Sequence, residues 1–224
     1  MDLCQSGAPV QSHFRPANES QSNVLDLGED SIEELLLENQ RLRTKEAFLN
    51  RLLLAMMLLT RHRSIVSGNL PEALRDITRM AALSVEVQRV SVWFLDDTRT
   101  TLTCACIFDG RESLHGDGAR LVARDYPVYF SEIERGRVVA ADDALLDPRT
   151  CEFAEGYLVP LSITSMLDVP IKTSDRLAGV VCLEHTGPRR AWQPEEQQFA
   201  AFISSLVSLA IEATDRIQGA GPAR

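Results

Sequence analysis

Two neighbouring segments in the carboxyl-terminal half of the chain carry acidic and imidazole side chains that could bind a ligand. Asp168 lies in the middle of the segment SMLDVPIK, and Glu184 and His185 end the segment LAGVVCLEH. Apolar residues alternate in both segments with a period of two, which is typical of a β-hairpin. Because side chains alternate across a strand, Met166 and Asp168 share the face opposite Leu167. On that face Asp168 either accepts hydrogen bonds from a ligand or from loop amides, or is an ordinary exposed carboxylate.

Glu184 is the second carboxylate of this predicted hairpin and lies on the same face of its strand as Cys182. Together with Asp168 and His185 it could contribute to a metal site, but these residues do not follow a spaced ligand motif. We therefore predict no metal site, and the sequence leaves the cofactor unknown. We expect His185 to be a structural histidine at a strand end.

The cysteines are the other candidates for chemistry. Cys104 and Cys106 lie two apart in the segment TLTCACIFDG, so a regular strand would place both on one face as small buried groups. A thiol sensor or redox enzyme is the alternative, but it requires a lowered thiolate pKa, and the sequence places no basic residue beside them. The five cysteines form no C-x-x-C pair, which favours free thiols in the reducing cytoplasm.

Aromatic and acidic side chains in the middle of the chain could line a ligand pocket. The aromatic candidates have core packing as their alternative role, and the acidic candidates in the segment AADDALLDPRT have ordinary turn chemistry as theirs. With Asp168 and Glu184, the predicted ligand-binding residues are Trp93, Tyr126, Tyr129, Phe130, Asp142 and Asp143.

Composition limits the classes of partner. The chain has 224 residues, of which 45% are hydrophobic, and a net charge of -9 without a basic stripe, which disfavours nucleic acid as a partner. The longest wholly apolar run, Leu52 to Leu59, is shorter than the roughly 20 residues of a membrane span, and the amino terminus does not resemble a signal peptide. We expect a cytoplasmic protein without a membrane partner.

A long helix is predicted over residues 29–63, after a flexible tail of residues 1–28 that is rich in Ser, Gln, Asn and Pro. Ser31 is its predicted cap. Apolar residues repeat every seven positions in this helix, and a polar Asn39 in the seam favours two parallel strands in register, so the pattern predicts a dimeric coiled coil. A helix packed along its own domain is the alternative. The predicted dimer contacts are Leu35, Asn39, Leu42, Leu49, Leu53 and Met56.

The last helix begins near Pro194 and carries two apolar stripes, one for the sheet and one for a partner helix. Its predicted partner contacts are Ile203, Leu206 and Ala210, and a flexible terminus is predicted over residues 218–224. Between the two long helices the pattern predicts a helix capped by Asn69, a hairpin, short helices with loops, and the second hairpin. This order indicates an α+β fold with an antiparallel sheet.

Several segments of the chain resemble the GAF domain, as found in bacterial multidomain sensors such as histidine kinases and cyclic-di-GMP enzymes. They are RVSVWFLD, RGRVVAADDALLDPRT, EGYLVPLSITSMLDVPI and GVVCLEHTGPRRAWQPEEQQFAAFISSLVSLAIE, and the resemblance covers about residues 66–217. It implies a GAF-like antiparallel sheet of about five or six strands. The first and last helices would cover one face, and a small-molecule pocket would lie on the other.

The resemblance also implies a function. We expect a non-catalytic sensory or regulatory module, a homodimer that relays the state of its pocket through the flanking helices to a downstream signalling protein. The small-molecule ligand is unidentified, since signatures typical of cyclic-nucleotide and bilin-binding GAF domains are not discernible. The alternatives are a dimerisation scaffold with a vestigial pocket and a thiol-based redox enzyme or sensor of the same fold.

Overall fold

The computed structural model describes residues 22–219, with their side chains from residue 31 onward. The chain divides into two compact units, one up to Ala47 and one from Phe48 onward. Within the described residues, no helix combines the length and the apolar character needed to cross a membrane.

Helix α1, Ser22–Thr60, crosses the boundary between the two units. It begins nine residues before Ser31, so the predicted cap at Ser31 is wrong, and the predicted tail overlaps its first turns. Residues 22–30 contain no proline, and the single Gly28 costs only about 1 kcal/mol in a helix that is already formed. Residues 1–21 of the predicted tail and residues 220–224 of the predicted terminus lie outside the described residues.

Among the described residues, five further helices belong to the second unit. Helix α3 is capped by Asn69, as predicted, because its Oδ1 accepts a hydrogen bond from the backbone N–H of Glu72. Helix α4 ends before Gly136, whose positive φ of 68° terminates it. Helix α5 directly follows two irregular helical turns, so that residues Cys151–Leu161 form one helical segment. The bounds are α2 Arg63–Val66, α3 Leu70–Val85, α4 Pro127–Glu134, α5 Val159–Leu161 and α6 Pro194–Gly219.

In the part of the chain that the structure describes, the sheet has seven antiparallel strands in the order β3-β2-β1-β7-β6-β5, with β4 also paired to β2. It agrees with the predicted GAF-like sheet and adds the three-residue strands β3 and β4, which are too short to show a periodic pattern. The bounds are β1 Arg89–Leu95, β2 Thr101–Asp109, β3 Leu114–Gly116, β4 Arg120–Val122, β5 Val139–Ala141, β6 Ile163–Lys172 and β7 Leu177–Thr186.

The two faces of the sheet support two separate hydrophobic cores. The helix-side core joins α2, α3, α6 and the end of α1 to the face of Leu167 and Val169, which confirms the predicted terminal helices on one face. The opposite core lies beneath α4 and the segment Cys151–Leu161. We call α4 and this segment together the cover. The predicted faces of Leu167 and Met166 are confirmed, because Leu167 belongs to the helix-side core and Met166 to this second core.

Three predicted dimer contacts in α6 are wrong. Ile203, Leu206 and Ala210 are at most 3% exposed and belong to the helix-side core of their own chain. The same helix exposes Leu209 to 49%, so its free apolar surface lies on another stripe. Both apolar stripes of this helix have helical spacing, and spacing alone does not show which stripe packs on the sheet and which is left for a partner helix.

The two neighbouring cysteines of β2 do not share a face. Ala105 interrupts the pairing of β1 with β2, since Val92 pairs with Cys106 and Trp93 with Cys104. This bulge turns Cys104 into the core beneath the cover and Cys106 into the helix-side core. The prediction that both thiols are buried is confirmed, and the prediction of a common face is wrong.

Candidate functional site

The register of the sheet assembles the charged part of the site. Arg89 at the start of β1 pairs with Asp109 of β2 on one side and with Glu184 of β7 on the other. Directly opposite residues in antiparallel strands have neighbouring side chains, so the guanidinium lies between two carboxylates. Its Nη1 atom lies 2.7 Å from Oδ2 of Asp109, and its Nε atom lies 2.8 Å from Oε2 of Glu184.

Glu184 has hydrogen-bond donors at both of its oxygens. Arg89 donates to Oε2, and the hydroxyl of Tyr157 donates a 2.6 Å hydrogen bond to Oε1. Burial raises the pKa of Glu184, while Arg89 and Tyr157 oppose this effect. Burial is the largest single influence on Arg89 and would lower its pKa, but Glu184 and Tyr157 together outweigh burial through charge and hydrogen bonds and raise that pKa, so the guanidinium stays charged. Glu184 is thus a satisfied member of a buried ion pair.

Asp168 lies in β6, between Val139 of β5 and Cys182 of β7, and it is completely buried. The hydroxyl of Tyr129 donates a 2.7 Å hydrogen bond to its Oδ2 atom, whereas its Oδ1 atom has no hydrogen-bond partner. Burial raises the pKa of this carboxyl to about 7, although the hydrogen bond from Tyr129 favours the charged form. The predicted exposed alternative for Asp168 is therefore wrong, because the cover shields this face from water.

The cover is tied to the sheet through two tyrosines. Tyr129 in the first turn of α4 reaches Asp168, and Tyr157 in the helical segment reaches Glu184. Glu152 joins the two parts of the cover, since its carboxylate accepts hydrogen bonds from the backbone N–H groups of Val128 and Tyr129, each at 3.1 Å. A carboxylate is favourable at the amino terminus of a helix, where backbone N–H groups lack partners. The cover therefore acts as one connected layer.

The remaining aromatic candidates pack in or beside the same core. Tyr126 stacks on Phe153 with ring centroids 4.4 Å apart, and Phe153 meets the edge of Tyr129 at 4.8 Å. Phe130 is 4% exposed. Trp93 is also buried, and its ring N–H donates a 2.8 Å hydrogen bond to the hydroxyl of Ser91. The structure thus brings four of the predicted aromatic residues into the core layer beneath the cover.

Asp142 and Asp143 have contacts of a different kind. Oδ1 of Asp142 accepts a hydrogen bond from the backbone N–H of Trp192, and Asp143 forms a 2.9 Å ion pair with Arg189. Both partners lie in the loop that leads into α6. These two carboxylates hold that loop and make no described contact with Asp168 or Glu184.

The other predicted groups have structural surroundings. Burial lowers the pKa of His185, which pairs across the sheet with Ser165. Burial raises the pKa of Cys104 to about 12 and raises the pKa of Cys106 and Cys182, so these thiols stay protonated at neutral pH. Among the side chains that the structure describes, no group of three His, Cys, Asp or Glu residues is arranged to hold a metal ion.

The sequence-based interpretation missed Arg89 and Glu152, which hold the site together, and it considered Tyr157 only as one of several aromatic residues near the pocket. Arg89 is the first residue of its strand, and a basic residue there is also common on an exposed surface. Its contact with Glu184 spans 95 positions of sequence, and only the register of β1 against β7 creates it. The signal for Glu152 is the mixed aromatic and acidic segment CEFAEGY, for which the sequence predicts a helical turn and no role for the acidic residue.

The predicted dimer contacts in α1 are solvent-accessible within the single chain. In the first unit, Leu35 and Leu42 are 67% and 56% exposed, and Asn39 is exposed. In the second unit, Leu53 is 56% exposed, while Leu49 and Met56 are half-buried. A groove of about 290 Å³ lies there between α1 and α6, and it is lined by Leu49, Leu52, Leu53, Met56, Glu195, Gln198 and Phe199.

Comparison with known proteins adds a family and a fold. A family model described as GAF domain matches residues 69–211. The crystal structure of the GAF domain from the Acinetobacter phosphoenolpyruvate-protein phosphotransferase is 16% identical, with a TM-score of 0.58, over 77% of this chain and 98% of that chain. No curated protein shows a significant match.

Two further solved structures share the fold. Residues 122 to 287 of a methyl-accepting chemotaxis protein are 18% identical, with a TM-score of 0.59, over 73% of this chain and 98% of that chain. The phycoerythrobilin-bound GAF domain from a cyanobacterial phytochrome is 16% identical, with a TM-score of 0.56, over 77% of this chain and 97% of that chain. At these levels of identity the similarity shows a common fold.

Proposed function

Because this chain belongs to the GAF domain family, we propose that it is a cytoplasmic, non-catalytic sensory module that binds a small molecule. The ligand would lie on the Asp168 face of the sheet, beneath the cover. The flanking helices of a homodimer would relay its presence to a downstream signalling protein. A sensory role is supported by the similar folds of a phycoerythrobilin-bound GAF domain and of a methyl-accepting chemotaxis protein.

The observation that carries this proposal is the buried carboxyl group of Asp168, whose Oδ1 atom lacks a hydrogen-bond partner. Burying a polar atom without a partner costs about 1–3 kcal/mol, so stability alone would favour an apolar side chain at this position. A ligand that supplies the missing partner removes this cost in the bound state. Ligand binding is then coupled to the packing of the cover.

The relay would pass from β6 to α6. The hydroxyl of Ser204 donates a 2.8 Å hydrogen bond to the carbonyl of Pro170, and the hydroxyl of Ser208 donates a 2.9 Å hydrogen bond to the carbonyl of Lys172. Both acceptors follow Asp168 on the same strand, so a displacement of β6 at the ligand would reach α6 directly. The relay requires that the ligand bind two arrangements of these helices with different affinities.

The homodimer is supported by apolar surface on the part of α1 that belongs to the second unit. Four neighbouring side chains there are 50–57% exposed, and one of them, Leu53, also lines the apolar groove beside α6. Apolar patches of this kind mark interaction sites in many proteins. The heptad pattern of the same helix favours a second copy of this chain as the partner. The four exposed residues are Leu53, Leu54, Met57 and Leu58.

Two measurements on the full chain test this function. Native mass spectrometry of the purified protein and thermal shift against a library of small metabolites should reveal a bound species or a stabilising compound. Sedimentation velocity should give the mass of a dimer, and its sedimentation coefficient should change when the compound is added. A monomeric mass at all concentrations would contradict the dimeric relay.

A dimerisation scaffold with a vestigial pocket is the second candidate. It is favoured by the buried side chain of Tyr129, which contacts Asp168, and by Phe153, which packs against Tyr129. A dimeric mass with no bound species and no thermal shift with any compound would support the scaffold over the sensor. A thiol-based redox enzyme is disfavoured, because burial raises the pKa of its buried thiols.

A further inference from the structure

The two buried carboxylates beneath the cover differ in how well their hydrogen-bonding capacity is used. Both oxygens of Glu184 accept hydrogen bonds, one from Arg89 and one from Tyr157. Asp168 accepts a 2.7 Å hydrogen bond from the neutral hydroxyl of Tyr129 at Oδ2, and the neutral thiol of Cys182 adds a weaker interaction that lowers its pKa, while Oδ1 has no partner within hydrogen-bond distance. An ionised carboxylate can accept about four hydrogen bonds, so Asp168 is the carboxylate with unused capacity.

The described cations near Asp168 are engaged elsewhere. Arg149 donates hydrogen bonds to Asp147 and to the carbonyl of Ala140, and its charge lowers the pKa of Asp168 only as a minor cause. Arg89 donates to Glu184 and to Asp109. A buried carboxylate without a cationic partner is costly, and a positive group beside it would reduce that cost.

The surroundings of Asp168 also exclude an anionic ligand. Asp168 and Glu184 lie on the same face of neighbouring strands, and Glu184 pairs with Met166 in the register of β6 with β7. Since Arg89 is occupied by two carboxylates, the face offers no unpaired described cation to a phosphate or carboxylate. The other neighbours of Asp168 are apolar or weakly polar: Val139, Cys182 and the ring of Tyr129.

We propose that the ligand of this site carries a nitrogen that donates hydrogen bonds, as a protonated amine or an amidinium, on a small apolar body. This nitrogen donates to Oδ1 of Asp168, and the apolar body packs against the aromatic side chains of the cover. The inference rests on the proposed function, because it names the chemical class of a ligand for the same site.

Binding must also move the cover. Asp168 and Tyr129 are at most 1% exposed, so a ligand reaches Oδ1 only when α4 or the helical segment is displaced. The hydrogen bond of Tyr129 uses Oδ2 and the ligand uses Oδ1, so both can be present once the cover has closed again. The bound state therefore keeps the tie between α4 and β6.

Benzamidine and benzoate are suitable probes, because they have nearly the same shape and opposite charges. Thermal shift and isothermal titration calorimetry on the full chain should show that benzamidine stabilises the wild type and that benzoate does not. Asp168→Asn should weaken benzamidine binding at least tenfold. Asp97→Asn is the matched control, since Asp97 is an exposed carboxylate paired with Arg176, and it should leave benzamidine binding unchanged.

The pH dependence provides a second readout. The groups described as facing Asp168 are Tyr129 from α4, Cys182 and Glu184 from β7, and Arg149, whose charge acts on it. Burial raises the pKa of Tyr129 and of Cys182, so both stay protonated between pH 6 and pH 8. With a pKa of about 7 for Asp168, its ionised fraction rises about tenfold over this range, and the Kd of benzamidine should fall by a similar factor. Asp168→Asn should abolish this dependence.

Each of four results would overturn the inference: benzoate binding as tightly as benzamidine, an unchanged Kd in Asp168→Asn, no binding of benzamidine to the wild type, or a Kd independent of pH. The proposed function fails on a different result, namely the absence of any bound or stabilising compound in the metabolite library. If an anionic library compound binds, and Asp168→Asn does not change its affinity, the proposed sensory function is supported and only the inference of a cationic ligand is contradicted.

Discussion

The hydroxyl of Tyr129 and Oδ2 of Asp168 lie 2.7 Å apart, and they join the first turn of α4 to the middle of β6. Both residues are buried, so water cannot replace either partner. Tyr129→Phe keeps the ring and leaves the carboxyl without this donor. We expect it to lower the free energy of unfolding by about 1–3 kcal/mol in urea denaturation at pH 7. Tyr126→Phe is the control, and an equal loss there would contradict the special role of Tyr129.

Asp168→Asn should alter the pH dependence of stability. Burial raises the pKa of Asp168 to about 7 from an ordinary value of 3.8, so the protonated carboxyl favours the folded state. The contribution of this proton to the free energy of unfolding is complete below about pH 4 and is lost as the pH rises through 7. Asparagine cannot ionise and does not lose this contribution. The free energy of unfolding of the variant should therefore rise relative to that of the wild type as the pH increases, by up to about 4 kcal/mol at pH 9.

Asp147→Asn gives the matched comparison, with the opposite sign. The hydrogen bond from Arg149 lowers the pKa of Asp147, so its ionised form favours the folded state, and that contribution is lost as the pH falls through the lowered pKa. The variant should therefore be less stable than the wild type at neutral pH, and the difference should shrink in acid. Denaturation curves from pH 3 to pH 9 measure both effects, and parallel curves for the wild type and Asp168→Asn would contradict the raised pKa.

The ion pair of Arg89 with Glu184 should show strong coupling in a double-mutant cycle. Arg89→Met leaves a buried carboxylate without its cation and should cost about 3–5 kcal/mol. Adding Glu184→Met should recover part of this loss, because the unpaired charge is removed. The pair of Arg176 with Asp97, which is half to almost fully exposed, is the control, with an expected coupling below about 1 kcal/mol. Equal coupling energies in the two cycles would show that burial does not strengthen the interaction of Arg89 with Glu184.

Gly179 should tolerate no side chain, because β7 approaches β1 closely at this position. A Cβ atom on Gly179 would collide with the carbonyl oxygen of Trp93 and would lie 3.0 Å from Cα of Phe94. We expect Gly179→Ala to lower the midpoint of thermal unfolding and to cost about 1–3 kcal/mol. Gly156→Ala in the cover is the control, since no atom lies within 4 Å of its added Cβ, and it should be close to neutral.

Leu53→Glu should prevent dimerisation without unfolding the chain. Leu53 is 56% exposed, so the charge costs little in the monomer but is unfavourable in an apolar interface. Sedimentation velocity should give a monomer for this variant and a dimer for the wild type. Leu83→Glu on α3 is the control, because Leu83 is 59% exposed on a different helix, and it should remain dimeric. Dimers of both variants would exclude the proposed interface.

The sequence indicated the fold and the face of Asp168, because both depend on local patterns. Alternation with a period of two survives in any regular strand, so SMLDVPIK placed Asp168 opposite Leu167 correctly. The same rule failed for Cys104 and Cys106, since nothing in their segment marks the bulge at Ala105. Local periodicity thus predicts a side chain's face only where the ladder of hydrogen bonds is uninterrupted.

The partners within the site were not predictable, because they depend on register and on tertiary packing. Glu184 was identified as a carboxylate of interest, but its partner Arg89 enters from a strand 95 positions away. Asp142 and Asp143 were assigned to the pocket by residue type, whereas the structure uses them to hold the loop before α6. Residue type predicts that a carboxylate needs a donor, and the fold decides which donor it receives.

The edges of the sheet have a consequence for how copies of this chain associate. Strand β5 borders β6 on one side, strands β3 and β4 border β2 on the other, and each of the three has only three residues. Short edge strands offer a neighbouring molecule few backbone groups with which to continue the ladder. The sheet is therefore protected against growth by strand addition, a common route to aggregation, which is consistent with the proposed dimer forming through helices.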